Sequence, residues 1–204
     1  MLNTIVLIDD KDFTKKKAYR FLKRVRKELC SSEFVDDNAE LIVLSQNADA
    51  GAWQGETLHI TNTADNRTIP QEWAEGEGII ENLLAIDHEG SGIFVLCDYE
   101  LEMFGTLIRG ENHTLERVIE VVDALEMVAK DSTLILVIYS SVKSLEAKDD
   151  ISKLSEHIKT LKNVKLITQV LMFYDTRPED NIPSLREFLL DNQVDIKREA
   201  GINE

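Results

Sequence analysis

Basic residues are scarce in this chain. Lysine and arginine number 23 against 38 aspartates and glutamates over 204 residues, a formal net charge of −15. A surface this acidic repels phosphate backbones and anionic lipid heads, so no nucleic acid and no membrane surface is expected as a partner. The densest basic run, from Lys15 to Lys27, reads as the solvated face of a helix. Cysteine is nearly missing: Cys30 and Cys97 give neither a disulfide framework nor a zinc spacing. Cys97 closes an apolar run and is expected to be a buried small hydrophobe. No apolar stretch approaches the length that spans a bilayer. The opening MLNTIVLIDD has no basic segment and meets two carboxylates too early for a signal peptide. The expected compartment is the cytoplasm. Internal repeats and low-complexity linkers are also missing, so 1–204 reads as a single domain.

What is present is an alternation of buried strands and amphipathic helices, in a chain that is 43% hydrophobic. Apolar runs at Thr4–Ile8, Leu41–Leu44, Ile93–Cys97, Leu134–Tyr139 and Val164–Tyr174 predict five strands. Helical spacing predicts helices through Ala18–Leu29, Ile79–Ile86, Leu115–Ala129, Ile151–Leu161 and Leu185–Leu189. Only a short polar tail is expected after Asp191. Near-continuous apolar strands separated by helices imply an α/β fold: a doubly wound, mostly parallel five-stranded sheet with helices on both faces. The stretch from Gln46 to Gly78 exceeds a minimal unit. It reads as an inserted hairpin or loop, with an extra strand at Thr57–Thr61.

In such a sheet, ligands bind outside the carboxyl ends of the strands. Here the first strand ends in Asp9 and Asp10, the third in Asp98, and the fourth in Ser140 and Ser141. Carboxylates packed together repel one another unless a cation neutralises them. Oxygen ligands at an open site suit Mg²⁺, which takes few carboxylates and keeps several waters. Beside such an ion an aspartate becomes a usable nucleophile toward phosphorus. A single aspartate at a strand end would be read as a polar terminus; three at separate strand ends point to a site.

These residues resemble the receiver domain of two-component response regulators. IVLIDDKDFTKKK is similar to that family's opening acidic pair, and IFVLCDYELEMFG to its phosphorylation segment. LILVIYSS is similar to its fourth strand. The resemblance covers the chain to about Asn192, except the insertion. It implies a receiver/flavodoxin-like fold, Asp98 as phosphoacceptor and Mg²⁺ held by Asp9, Asp10 and Asp98. It also implies Ser140 as the phosphoryl-binding hydroxyl, and a histidine kinase or phosphotransfer protein as partner, with a downstream protein target. With no output domain in view, the expectation is a stand-alone phosphorelay carrier, phosphate store or docking module rather than a turnover enzyme. The chain departs from the pattern in four places. Glu102 stands where the family has proline, and Gly105 comes one residue early. The gap from Asp98 to Ser140 is long, and no Lys-Pro pair follows the fifth strand. Lys165 and Arg177 are the nearest cations, and a weakened switch is expected.

Two other readings compete. Asp10-Lys11-Asp12-Phe13-Thr14 resembles the DxDxT motif of haloacid-dehalogenase-type phosphatases. That resemblance implies Asp10 as nucleophile, Asp12 as acid/base, Ser140 as the hydroxyl, and Asp175 and Asp180 as distal metal carboxylates. It leaves Asp9 and the DYEL segment unexplained. The third reading is a pseudo-receiver binding module that is not phosphorylated, with Phe104, Phe173 and Tyr174 as contact residues. Aromatic residues near strand ends are more often core. Trp53 and Trp73 read as packing for the insertion. His59, His88, His113 and His157 show no ligand spacing.

Overall fold

A run such as Ile5–Ile8 has no polar side chain to turn toward water, so it must be covered on both faces. In the computed structural model of the protein it is. The structure describes residues 1–9, 16–47, 52–59, 83–84, 92–99, 113–129, 132–140, 145–166, 171–172 and 182–202, some of them by backbone alone. The elements are β1 (Leu2–Ile8), α1 (Lys16–Cys30), β2 (Val35–Asn47), β3 (Ala52–His59), β4 (Gly92–Asp98), α2 (His113–Ala129), β5 (Thr133–Ser140), α3 (Leu145–Ile158), β6 (Val164–Leu166), β7 (Leu171–Met172), α4 (Ile182–Asp191) and α5 (Gln193–Glu199). The strand order is β3-β2-β1-β4-β5-β6, with β7 also pairing β5. All pairings are parallel except β2 with β3. The fold is the expected doubly wound, receiver/flavodoxin-like α/β sheet.

Strand alternation sorts the core into two layers. Ile5, Leu7, Leu41, Val43, Phe94, Leu96, Ile135 and Val137 face α1, α4 and α5 through Phe21, Leu22, Val25, Phe188 and Ile196. Val6, Ile8, Ile42, Val95, Cys97, Leu136 and Ile138 face α2 and α3 through Val118, Val122, Leu125, Leu154 and Ile158. Each such buried side chain contributes about 1.5–3 kcal/mol over exposure. On α1, Arg20, Lys23, Arg24 and Lys27 are exposed, as a solvated face requires, while Arg26 is buried.

Three features differ from expectation. The extra strand runs over Ala52–His59, antiparallel to β2 from Asn47↔Ala52 to Glu40↔His59. The alternating TLHIT pattern marks only its far end, and Ile60 and Thr61 lie outside the described residues. The fifth strand is described as two short pieces, β6 and β7, each paired with β5. The tail after Asp191 is not merely polar: Asn192 is followed by α5, whose Ile196 is fully buried. One apolar anchor in a polar heptamer is too weak a periodic signal to show in sequence. Leu83 and Leu84 are helical, and Leu83 is buried; the rest of the helix predicted through Ile86 lies outside the described residues.

Candidate functional site

The strand order reverses at β1, because the chain leaves it on one side for β2 and returns on the other as β4. The crevice outside the carboxyl ends of β1 and β4 is therefore the topological switch point, where this architecture binds ligands. The last register pair of those strands is Ile8↔Cys97. Asp9 and Asp98 are the next step along each strand and so stand side by side.

Both are deeply placed. Asp9 is 0% exposed and Asp98 is 5% exposed. The Asp9 N–H donates to the Leu44 carbonyl at 3.1 Å, extending the β1–β2 ladder. Asp98 pairs with Tyr139 on β5, and the Tyr99 N–H donates to the Tyr139 carbonyl at 2.7 Å. Asp9, Asp98 and Tyr139 continue the rows Ile5–Leu7, Phe94–Leu96 and Ile135–Val137, so all three belong to the sheet face that carries α1. The Tyr139 hydroxyl donates to Asp9 Oδ2. Because β4 lies between β5 and β1, the phenol reaches across the strand that bears Asp98. Its ring packs against Phe21, with centroids 6.4 Å apart.

On the other sheet face, Tyr99 is buried in the layer of α2 and α3. Its hydroxyl donates to Asp150 Oδ2 on α3 at 2.5 Å. Thus two tyrosines flank Asp98, one fastened to β1 and one to α3. Neither was singled out from sequence, because each reads as part of an apolar run or of the DYEL segment.

The electrostatics follow from burial. The Tyr139 phenol is pushed well above its ordinary range by desolvation, then by the charges of Asp9 and Asp98. It therefore stays a hydrogen-bond donor at neutral pH. The Cys97 thiol is raised likewise, by burial and then by Asp98 and Asp9, which makes it the inert buried hydrophobe expected.

Two carboxylate donors at one edge suit Mg²⁺, which takes one or two and completes its shell with water. Among the described residues, no group of three or more His, Cys, Asp and Glu is arranged to hold a metal. Asp10, the third expected ligand, lies outside the described residues, as do Asp12, Asp175, Asp180 and Arg177. Phe104, Phe173 and Tyr174 lie outside them too. Ser140 closes β5 and pairs with Met172; its side chain lies outside the described residues.

Lys165 does not reach this edge. It pairs with Ile135 on β5, four residues before the Tyr139 that faces Asp98, or roughly 13 Å along the strand. Its Nζ donates to the Lys162 carbonyl at 3.0 Å. His157 bridges α3 to Asp123 of α2 at 2.7 Å, a role in packing helices rather than in ligation. Among the described residues, no helix is long and apolar enough to cross a membrane.

Comparison with protein-family models and with curated proteins finds no match to this chain.

Proposed function

We propose that the protein is a phosphoacceptor of the receiver type, taking a phosphoryl group on Asp98 with Mg²⁺ held by Asp9, Asp10 and Asp98. The observation that carries the reading is the side-by-side placement of buried Asp9 and Asp98 at the switch point of the sheet. Burying two carboxylates together is costly, and a site that takes up a cation is a physical reason to retain them. In the reaction, an Asp98 oxygen attacks phosphorus. The bond from phosphorus to the donor's leaving atom breaks, and that atom, the imidazole nitrogen of a phosphohistidine or the acyl oxygen of acetyl phosphate, departs with the electron pair. When bound, Mg²⁺ supplies positive charge that offsets the incoming phosphoryl oxygens. Asp9 is held in place for ligation by the Tyr139 hydroxyl, and Ser140 is the hydroxyl assigned to the phosphoryl group in this reading. The donor is a histidine kinase or phosphotransfer protein. Signalling, phosphorelay or phosphate storage is the expected use.

Thermal unfolding with and without Mg²⁺ tests the metal half of this reading. At ten times the dissociation constant the ion adds about 1.4 kcal/mol of stability. The gain disappears in Asp10→Ala; an equal gain there means general screening of an acidic surface.

A further inference from the structure

We propose that Tyr139 supplies the hydroxyl that grips a phosphoryl group on Asp98, moving its hydrogen bond from Asp9 to a phosphoryl oxygen when the group arrives. This rests on the phosphoacceptor reading above. It gives Tyr139 the main part of the role that the resemblance implies for Ser140.

Three observations carry it. Asp98 and Tyr139 are direct partners in the β4–β5 register, so their side chains rise together from one face. The phenol crosses β4 to reach Asp9 Oδ2, and its path therefore runs beside the Asp98 carboxylate. The ring is fixed by burial against Phe21, so only the hydroxyl need reorient. A phosphoryl group on Asp98 brings new anionic oxygens into this space. A donor already in place then finds an acceptor of higher charge. Hydrogen bonds to such oxygens are among the stronger kinds. No Lys-Pro pair follows the fifth strand, and Lys165 lies on β6 opposite Ile135, away from this edge; the Tyr139 phenol is a described donor beside Asp98.

Beryllofluoride with Mg²⁺ is the probe, since an Asp98 oxygen can donate its lone pair to beryllium in place of a bound water, with no redox change. Its affinity is measured for the wild type, Tyr139→Phe and Ser140→Ala. The proposal expects weaker binding in Tyr139→Phe, by up to roughly tenfold because the bond gained at the phosphoryl group is offset in part by the Asp9 bond given up, and a smaller loss in Ser140→Ala. Equal affinity in wild type and Tyr139→Phe overturns the assignment of Tyr139 and leaves the phosphoacceptor reading standing. A wild type that binds no beryllofluoride overturns both. A second measurement does not depend on affinity and uses Tyr139→Phe only to assign one of the four tyrosine resonances. With tyrosine labelled by ¹³C at the ζ carbon, the Tyr139 resonance shifts on beryllofluoride binding as the hydroxyl changes acceptor. An unmoved resonance in the bound protein refutes the proposal.

Discussion

Tyr99, the residue after Asp98, donates its hydroxyl to Asp150 of α3 at 2.5 Å, across 51 positions of sequence. The end of β4 is thereby fastened to the helix that follows β5. Asp150 also meets Lys153 at 3.5 Å and is only 16% exposed in its side chain, so the bond is partly shielded from water.

Tyr99→Phe keeps the ring in the core and removes only this bond. It is expected to cost about 1.5–3 kcal/mol, as for a hydrogen bond to a charged group. Amide exchange in α3 should rise more than in α2, which lies in the same layer without the tether. Equal exchange in both helices would show that Tyr99 does not anchor α3.

Tyr139 and Cys97 give the protein a predictable alkaline limb. Both groups are raised in the folded state, so folding disfavours their anions. Their contribution is fully present about a pH unit below the ordinary thiol value of about 8.5, before the unfolded thiol ionises. It is lost as pH rises further, because the unfolded chain releases protons that the fold retains. Each group adds about 1.4 kcal/mol of lost stability per pH unit above its unfolded value. Urea unfolding from neutral pH upward should therefore show a steeper fall in the wild type than in Tyr139→Phe above about pH 10. Parallel curves would contradict the burial and hydrogen bonding of the phenol.

Much of the fold was legible because both-face burial leaves a coarse mark. Runs such as Ile93–Cys97 have no polar position, and that pattern fits few structures besides a covered parallel strand. The strand-end aspartates were legible for the same reason, since polarity begins where burial of the run ends. Asp9 and Asp98 do lie together; Asp10 and the Ser140 side chain lie outside the described residues. The tyrosine partners were not legible. Tyr139 ends LILVIY like one more apolar residue, and its acceptor is 130 positions away. A cross-strand bond of this kind depends on strand order, which periodicity does not carry. Ile196 was missed because a lone anchor makes no period.

Glu126 near the end of α2 offers a test of how β6 is placed. Its carboxylate accepts the N–H groups of Lys162 at 3.1 Å, Asn163 at 2.9 Å and Val164 at 3.0 Å. Backbone donors at the start of an edge strand are satisfied there by one side chain. Glu126→Ala is expected to lower stability by about 1–3 kcal/mol, the cost of leaving such donors without that partner. The amides of residues 162–164 should exchange faster. Wild-type stability and exchange in this variant would show that β6 is positioned by its pairing with β5 alone.

The central claim is that Asp98 takes the phosphoryl group, and the direct measurement is to locate the label. The protein is incubated with acetyl phosphate and Mg²⁺, and the modified residue is identified by peptide mass spectrometry. The account predicts an acyl phosphate on Asp98, lost in Asp98→Asn, whose amide is a poor nucleophile in a side chain of nearly the same size. Label on Asp10 that survives Asp98→Asn, or no label on any residue, would contradict it.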